Sequence, residues 1–113
     1  MKVVVHVDGG SRGNPGPAAA AAVLATPDGD VVDEASELLG IATNNVAEYR
    51  GLLLGLARAK ALGATEVEVV NDSELIAKQV NGDYKVTHAA MRPLYDDAMA
   101  AQREFGARSI RYV

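Results

Sequence analysis

Residues 43–63, T-N-N-V-A-E-Y-R-G-L-L-L-G-L-A-R-A-K-A-L-G, are the one stretch of this chain long and regular enough to require a helix, and its glycines say what the helix lies against. Thr43 opens it with a capping oxygen and Gly63 stops it. Tyr49, Leu52, Leu53 and Leu56 make an apolar face, while Gly51, Gly55 and Ala59 recur at a spacing of four. An interior glycine costs a helix about 1 kcal/mol relative to alanine. Two of them on one stripe imply that the helix backbone packs closely on a sheet. Glu48 sits one turn before Leu52, at the margin of the buried face.

The flanking segments supply that sheet. In residues 2–8, Val3, Val5 and Val7 alternate with Val4, His6 and Asp8, which predicts a first strand ending at Asp8 on its less apolar side. D-G-G-S-R-G-N-P-G-P (8–17) then reads as a loop. Two more strands are expected at 18–26 and 30–39, because P-D-G-D between them fits a hairpin even though the alanine run favours helix. After the long helix, T-E-V-E-V-V-N (65–71) reads as a strand and D-S-E-L-I-A-K-Q-V as the start of a short helix. N-G-D-Y-K-V-T-H (81–88) is a connector, a third helix spans 89–105 with Gly106 closing it, and S-I-R-Y-V (109–113) is a final strand. The order βββαβααβ predicts an α/β domain over residues 1–113: a five-stranded mixed sheet, three antiparallel strands then two parallel, with helices packed on it.

Composition narrows the chemistry. A chain of 113 residues, 49% of them hydrophobic, has material for one domain with a small core. No apolar run is long enough to span a bilayer and M-K-V-V-V-H-V-D turns polar too soon for a signal peptide, so a soluble, cytoplasmic protein without a membrane partner is expected. The absence of cysteine leaves only oxygen and imidazole to hold a metal. A net charge of −4 argues against a general basic field for nucleic acid.

Three acidic residues fall where elements meet: Asp8 after the first strand, Glu48 early in the long helix, and Asp72 at the exit of the fourth strand. Parallel strands joined by helices bring such strand exits to one edge of the sheet. Gathered carboxylates repel one another, and hard divalent cations such as Mg²⁺ or Mn²⁺ resolve that repulsion. Each residue also has a plainer reading: Asp8 as a turn aspartate, Glu48 as a first-turn glutamate favoured by the helix dipole, and Asp72 as a helix cap, or flanked by an Asn71–Glu74 capping box. Thr43, Asn44 and Asn45 crowd a hydroxyl and two amides at one helix start, and Asn14 adds an amide in the glycine loop. One of them must cap the helix; the others are groups able to read a minor groove.

Together the stretches V-D-G-G-S-R-G-N-P-G-P-A, A-T-N-N-V-A-E-Y-R-G-L-L-L-G-L, V-V-N-D-S-E-L-I-A-K-Q-V-N-G-D-Y-K-V and M-R-P-L-Y resemble the type 1 ribonucleases H, in order and spacing along essentially the whole chain. The likeness is to the short branch without the basic helical insertion, since 81–88 is too short to hold one. The resemblance implies a Mg²⁺-dependent endoribonuclease, in which two ions cut the RNA strand of an RNA–DNA hybrid. It places Asp8, Glu48 and Asp72 as catalytic metal ligands. It also places Gly10, Arg12, Asn14, Asn44, Asn45 and Glu74 along the hybrid and Thr43 at a DNA phosphate. Two bound divalent ions would cancel the negative charge.

The family pattern continues with a loop and a final helix that carry a fourth acidic residue, whereas this sequence stops at Val113. Weakened turnover and a sheet face without its last helix are the expectations, and an open apolar face favours a homodimer. Asp96 and Asp97 match neither missing position. His6 reads as a strand residue near the site, with a satisfied core histidine as its plainer reading, and His88 as a helix-start residue. Two other readings stay open: a hybrid-binding or interaction module that keeps the fold without turnover, and a small-nucleotide binder using the glycine loop. The second is the weaker, because G-G-S-R-G-N-P-G lacks the G-x-G-x-x-G spacing.

Overall fold

Alternation along the first strand decides which side of the sheet is covered. In the computed structural model, which describes residues 1–113, β1 runs Lys2–Ser11 with Val3, Val5 and Val7 buried and His6 and Asp8 exposed. β1 pairs antiparallel with β2 (Gly16–Ala25), and β2 antiparallel with β3 (Val31–Ala42). On its other edge β1 pairs in parallel with β4 (Glu66–Asn71), and β4 in parallel with β5 (Ala107–Tyr112). The order β3-β2-β1-β4-β5 is the expected mixed sheet.

Helix α1 (Asn44–Ala61) begins after Thr43, whose Oγ1 accepts from Val46 N at 3.3 Å. Its glycine stripe does what the spacing requires. A Cβ at Gly51 would stand 2.8 Å from Val7 Cγ1 and 3.0 Å from the Asp8 carbonyl oxygen, and one at Gly55 2.5 Å from Val5 Cγ1. Helices α2 (Glu74–Val80) and α3 (Arg92–Gln102) pack beside it. One hydrophobic cluster joins Val3, Val5, Val67, Val69 and Ile110 of the sheet to Leu52, Leu56, Ile76, Ala98 and Phe105, so all three helices share one face. The other face carries Asp8 and His6 in the open, with Leu38 of β3 90% exposed. Inside the core, Tyr49 Oη donates to Gln79 Oε1 at 2.7 Å and ties α1 to α2. At the periphery Arg58 holds Asp33 of β3 through two bonds of 2.7 and 2.9 Å.

Several boundaries differ from the sequence expectation, each for a local reason. β1 continues through Gly9, Gly10 and Ser11 because β2 already begins at Gly16 and pairs with it down to Ser11–Ala18. The glycine-proline stretch is therefore a hairpin in which only residues 12–15 turn, closed by Arg12 N donating to Pro17 O at 2.8 Å. Asp8 lies within the strand, not at its end. α3 is shorter than 89–105: it starts at Arg92, where Pro93 fits a first turn that needs no amide donor. β5 starts at Ala107, two residues earlier than read, because Gly106 N donates to Thr65 O at 2.9 Å and brings the chain alongside β4. His6 is exposed rather than a core residue, since it alternates with the buried valines.

Candidate active site

Asp8, Glu48 and Asp72 come from three elements that the backbone forces together. Val7 and Asn71 are partners across the parallel β1–β4 ladder, so the next residues out are Asp8, still in β1, and Asp72, just past the end of β4. α1 reaches the same point because Gly9 has no side chain: a Cβ there would overlap the Ala47 carbonyl and lie 2.8 Å from Glu48 N. Asp8 and Asp72 are exposed, while Glu48 is half-buried with its Oε2 sealed from solvent and without a hydrogen-bond partner. Burial pushes the Glu48 carboxyl above the ordinary glutamate value, Ser73 beside it draws it partly back, and repulsion from Asp72 and then Asp8 adds to the rise.

No three acidic or imidazole side chains already enclose a point, so the carboxylates are neighbours rather than a closed cage. Both aspartates are exposed, so neither side chain is locked in place by packing. The donor set nevertheless fits a hard divalent cation. It is oxygen-only, negatively charged, and contains a buried carboxylate oxygen that nothing in the protein satisfies.

The turn after β4 clarifies what Asp72 is for. Asn71 Oδ1 accepts from Ser73 N at 2.8 Å, and Ser73 Oγ accepts from Ile76 N at 3.2 Å, capping α2. Ser73 thus does the capping that the sequence left open to Asp72, and the Asp72 carboxylate is not consumed by the helix. Glu74 pairs with Lys78 at 2.9 Å instead of closing a capping box. Lys78 also lies over the Tyr84 ring, 5.1 Å from its centroid.

The asparagines interlock. Asn44 N donates to Asn14 Oδ1 at 3.2 Å, and Asn44 Oδ1 accepts from Ser11 N at 2.7 Å and Ser11 Oγ at 2.9 Å. Backbone N–H groups can only donate, so both amide oxygens must face inward. Each amide nitrogen is left as a donor without a protein partner, on residues that are themselves exposed. Asn45, half-buried, uses no side-chain atom within the protein, and Thr43 spends only its lone pair on the cap. Gly10 is open: an added Cβ would meet only Asn44 Oδ1, at 3.8 Å. Arg12 is exposed and joins none of the ion pairs.

Sequence reasoning passed over Ser11, Ser73 and Gln79, and gave Asn71 only a possible capping role. Asn71 had a readable signal, since it continues the alternation Val67, Val69 and is a polar residue at a buried strand position. Ser11 and Gln79 had none, because their partners are 33 and 30 residues away.

Comparison with known proteins places this arrangement. The reverse transcriptase-like family matches residues 6–113. The bifunctional protein Rv2228c of Mycobacterium tuberculosis is 51% identical over 113 residues, 99% of this chain, and the chain spans 30% of that protein's length. The solved N-terminal RNase H domain of Rv2228c, a fusion with maltose binding protein, superposes with a TM-score of 0.97 at 48% identity, covering 100% of this chain and 87% of that one. LC11-RNase H1, solved in complex with an RNA/DNA hybrid, gives a TM-score of 0.93 at 34% identity, covering 98% of this chain and 84% of the other.

Proposed function

This chain belongs to the reverse transcriptase-like family, as a ribonuclease HI-like domain, and we propose that it is an endoribonuclease hydrolysing the RNA strand of RNA–DNA hybrids. The observation that carries the reading is the unpartnered Glu48 oxygen, held in the interior beside Asp8 and Asp72. Asp8, Glu48 and Asp72 would hold the divalent cations, Mg²⁺ with Mn²⁺ as substitute, and two ions there supply an activated water and a counter-charge for the leaving oxygen.

The rest of the work falls to side chains that are already set. Asn14 and Asn44 present Nδ2 donors, and the minor groove of a hybrid presents acceptors: base-edge N3 and O2 atoms and 2′-hydroxyl oxygens. Groups of this kind read sugar chemistry and groove shape while largely ignoring sequence. Gly10 leaves room for a sugar to approach β1. The Thr43 hydroxyl proton and the Asn45 amide sit at the N-terminus of α1, where peptide dipoles favour a phosphate. Arg12 adds a free positive charge nearby. Glu74 is the acceptor of the set, shared with Lys78.

Cleavage of an end-labelled RNA–DNA hybrid in Mg²⁺ tests the proposal. Asp8→Asn should lower the rate by at least about 100-fold, as loss of one electrostatic stabiliser at a reacting centre does, while the protein stays folded and still binds the hybrid. Wild-type protein that binds hybrid but never cuts it would establish a binding module instead.

A further inference from the structure

Only two buried side-chain polar atoms in the whole chain have no hydrogen-bond partner, and they are an acceptor and a donor: Glu48 Oε2, and Asn71 Nδ2 on the residue just before the Asp72 and Ser73 that act on Glu48. Asn71 is wholly inaccessible to solvent. Its amide orientation is fixed by chemistry, because Oδ1 receives the Ser73 N–H at 2.8 Å and the nitrogen can then only donate. Ser73 in turn stands beside the Glu48 carboxyl. A fully buried N–H without an acceptor is costly, and so is a buried carboxylate oxygen without a donor. A hydrogen bond between the two, direct or through one buried water, would satisfy both at once.

We propose that Asn71 is a positioning residue for the reaction suggested above: Oδ1 fixes the turn that presents Asp72, and Nδ2 supplies the hydrogen bond that the Glu48 carboxylate lacks. The residue type fits both duties. An aspartate of the same shape would accept from Ser73 equally well, but it would place a fourth negative charge among three carboxylates and lose the donor. An aliphatic residue would fill the space and do neither. An amide accepts, donates and adds no charge. Holding one Glu48 oxygen from behind aims the other outward, where a cation approaches. Second-layer hydrogen bonds of this type are worth about 10- to 100-fold in metal affinity or activity.

The inference rests on the hydrolase reading, so its test includes measurements that do not need turnover. The first is on ¹⁵N-labelled wild-type protein: the Asn71 side-chain amide protons should exchange slowly with water and lose that protection in Glu48→Ala. Unchanged protection in Glu48→Ala would overturn the link to Glu48. The second compares Asn71→Thr, whose hydroxyl can accept from Ser73 and donate onward, with the nearly isosteric Asn71→Val. Asn71→Val should weaken Mn²⁺ binding measured by calorimetry, and lower kcat, by about 10-fold or more with KM for hybrid little changed; Asn71→Thr should recover most of both. Equal Mn²⁺ affinity in Asn71→Val and wild type, or equal losses in the two variants, would overturn the proposal. If Asn71→Val does not fold, Asn71→Asp keeps the shape and the Ser73 bond. Its Mn²⁺ affinity read at high pH and high salt should still fall, and wild-type affinity there would count against the donor role. Absence of wild-type cleavage would sink the hydrolase reading alone, leaving the exchange experiment to decide the contact.

Discussion

Glu48 differs from Asp8 and Asp72 in where its charge sits. The aspartates keep their water, whereas Glu48 has one oxygen sealed inside the protein facing two like charges. In the absence of a cation that arrangement opposes folding, and a neutral side chain of the same length removes the repulsion and supplies its own donor. Glu48→Gln should therefore raise the melting temperature of the metal-free protein at neutral pH, by an amount equivalent to about 1 kcal/mol, while abolishing hybrid cleavage. Differential scanning calorimetry in chelator checks the first half, and a lower melting temperature would mean that Glu48 is already satisfied without metal. The acidic triplet was legible in the sequence because each residue follows or opens a segment with clear periodicity, even though Asp8 proved to lie within β1 rather than at its end. That Glu48 alone of the three has a sealed oxygen was not, because its burial depends on α1 meeting β1 over Gly9.

At the scale of elements, the seat of α1 on β1 and β2 is the contact that sets the site's dimensions. Gly55→Ala tests it by weighing two opposed effects. Alanine gains about 1 kcal/mol of helix propensity, but its Cβ would lie 2.5 Å from Val5 Cγ1 and 3.3 Å from Ala22 Cβ. Overpacking a dense core typically costs about 1–3 kcal/mol, and neither neighbour is the end of a flexible chain, so the variant should be net destabilised in urea unfolding. A stabilised Gly55→Ala would show that the helix has room to lift. The outer edge of α1 is tied differently, through Arg58 to Asp33 on β3. The hydrogen bond from Arg58 holds the Asp33 carboxyl below its usual value. A carboxylate depressed in the folded state stabilises above its unfolded pKa and loses that contribution as pH falls through the folded one. Asp33→Asn should thus lower stability at neutral pH and converge with wild type in acid, below about pH 4; a gap that persists in acid would assign the effect to packing. The glycine stripe announced the helix–sheet contact in the sequence, whereas the Asp33 tie was invisible there, because it joins residues 25 apart in sequence on a strand whose register is set by a bulge.

For the whole molecule, charge is the term that decides how hybrid is held. The chain carries −4, and most of its lysines and arginines are engaged in ion pairs; of the four that are not, Arg103 and Arg108 lie at the far end, where α3 gives way to β5, while Arg12 sits in the turn beside β1 and Lys85 in the connector after α2. Affinity for hybrid should fall linearly with the logarithm of salt concentration, and Arg12→Ala should make that slope shallower by about one. Fluorescence anisotropy across a salt series measures both, and an unaltered slope would remove Arg12 from the phosphate contacts. No helix of the protein is long and apolar enough to cross a membrane. The sequence by itself determined the order of elements, the mixed sheet, the helix that must lie on it and the three acids, because those follow from periodicity, glycine spacing and turn chemistry within short windows. Tertiary structure alone decided that the glycine-proline loop is mostly strand and that Ser73 rather than Asp72 caps α2. It also decided that the asparagines turn their oxygens inward, leaving only donors outside, and that Glu48 and Asn71 are the two buried groups left unsatisfied. The physical reason is common to all four: a hydrogen bond or a buried charge is settled by which atoms arrive beside it, and those atoms come from distant parts of the chain.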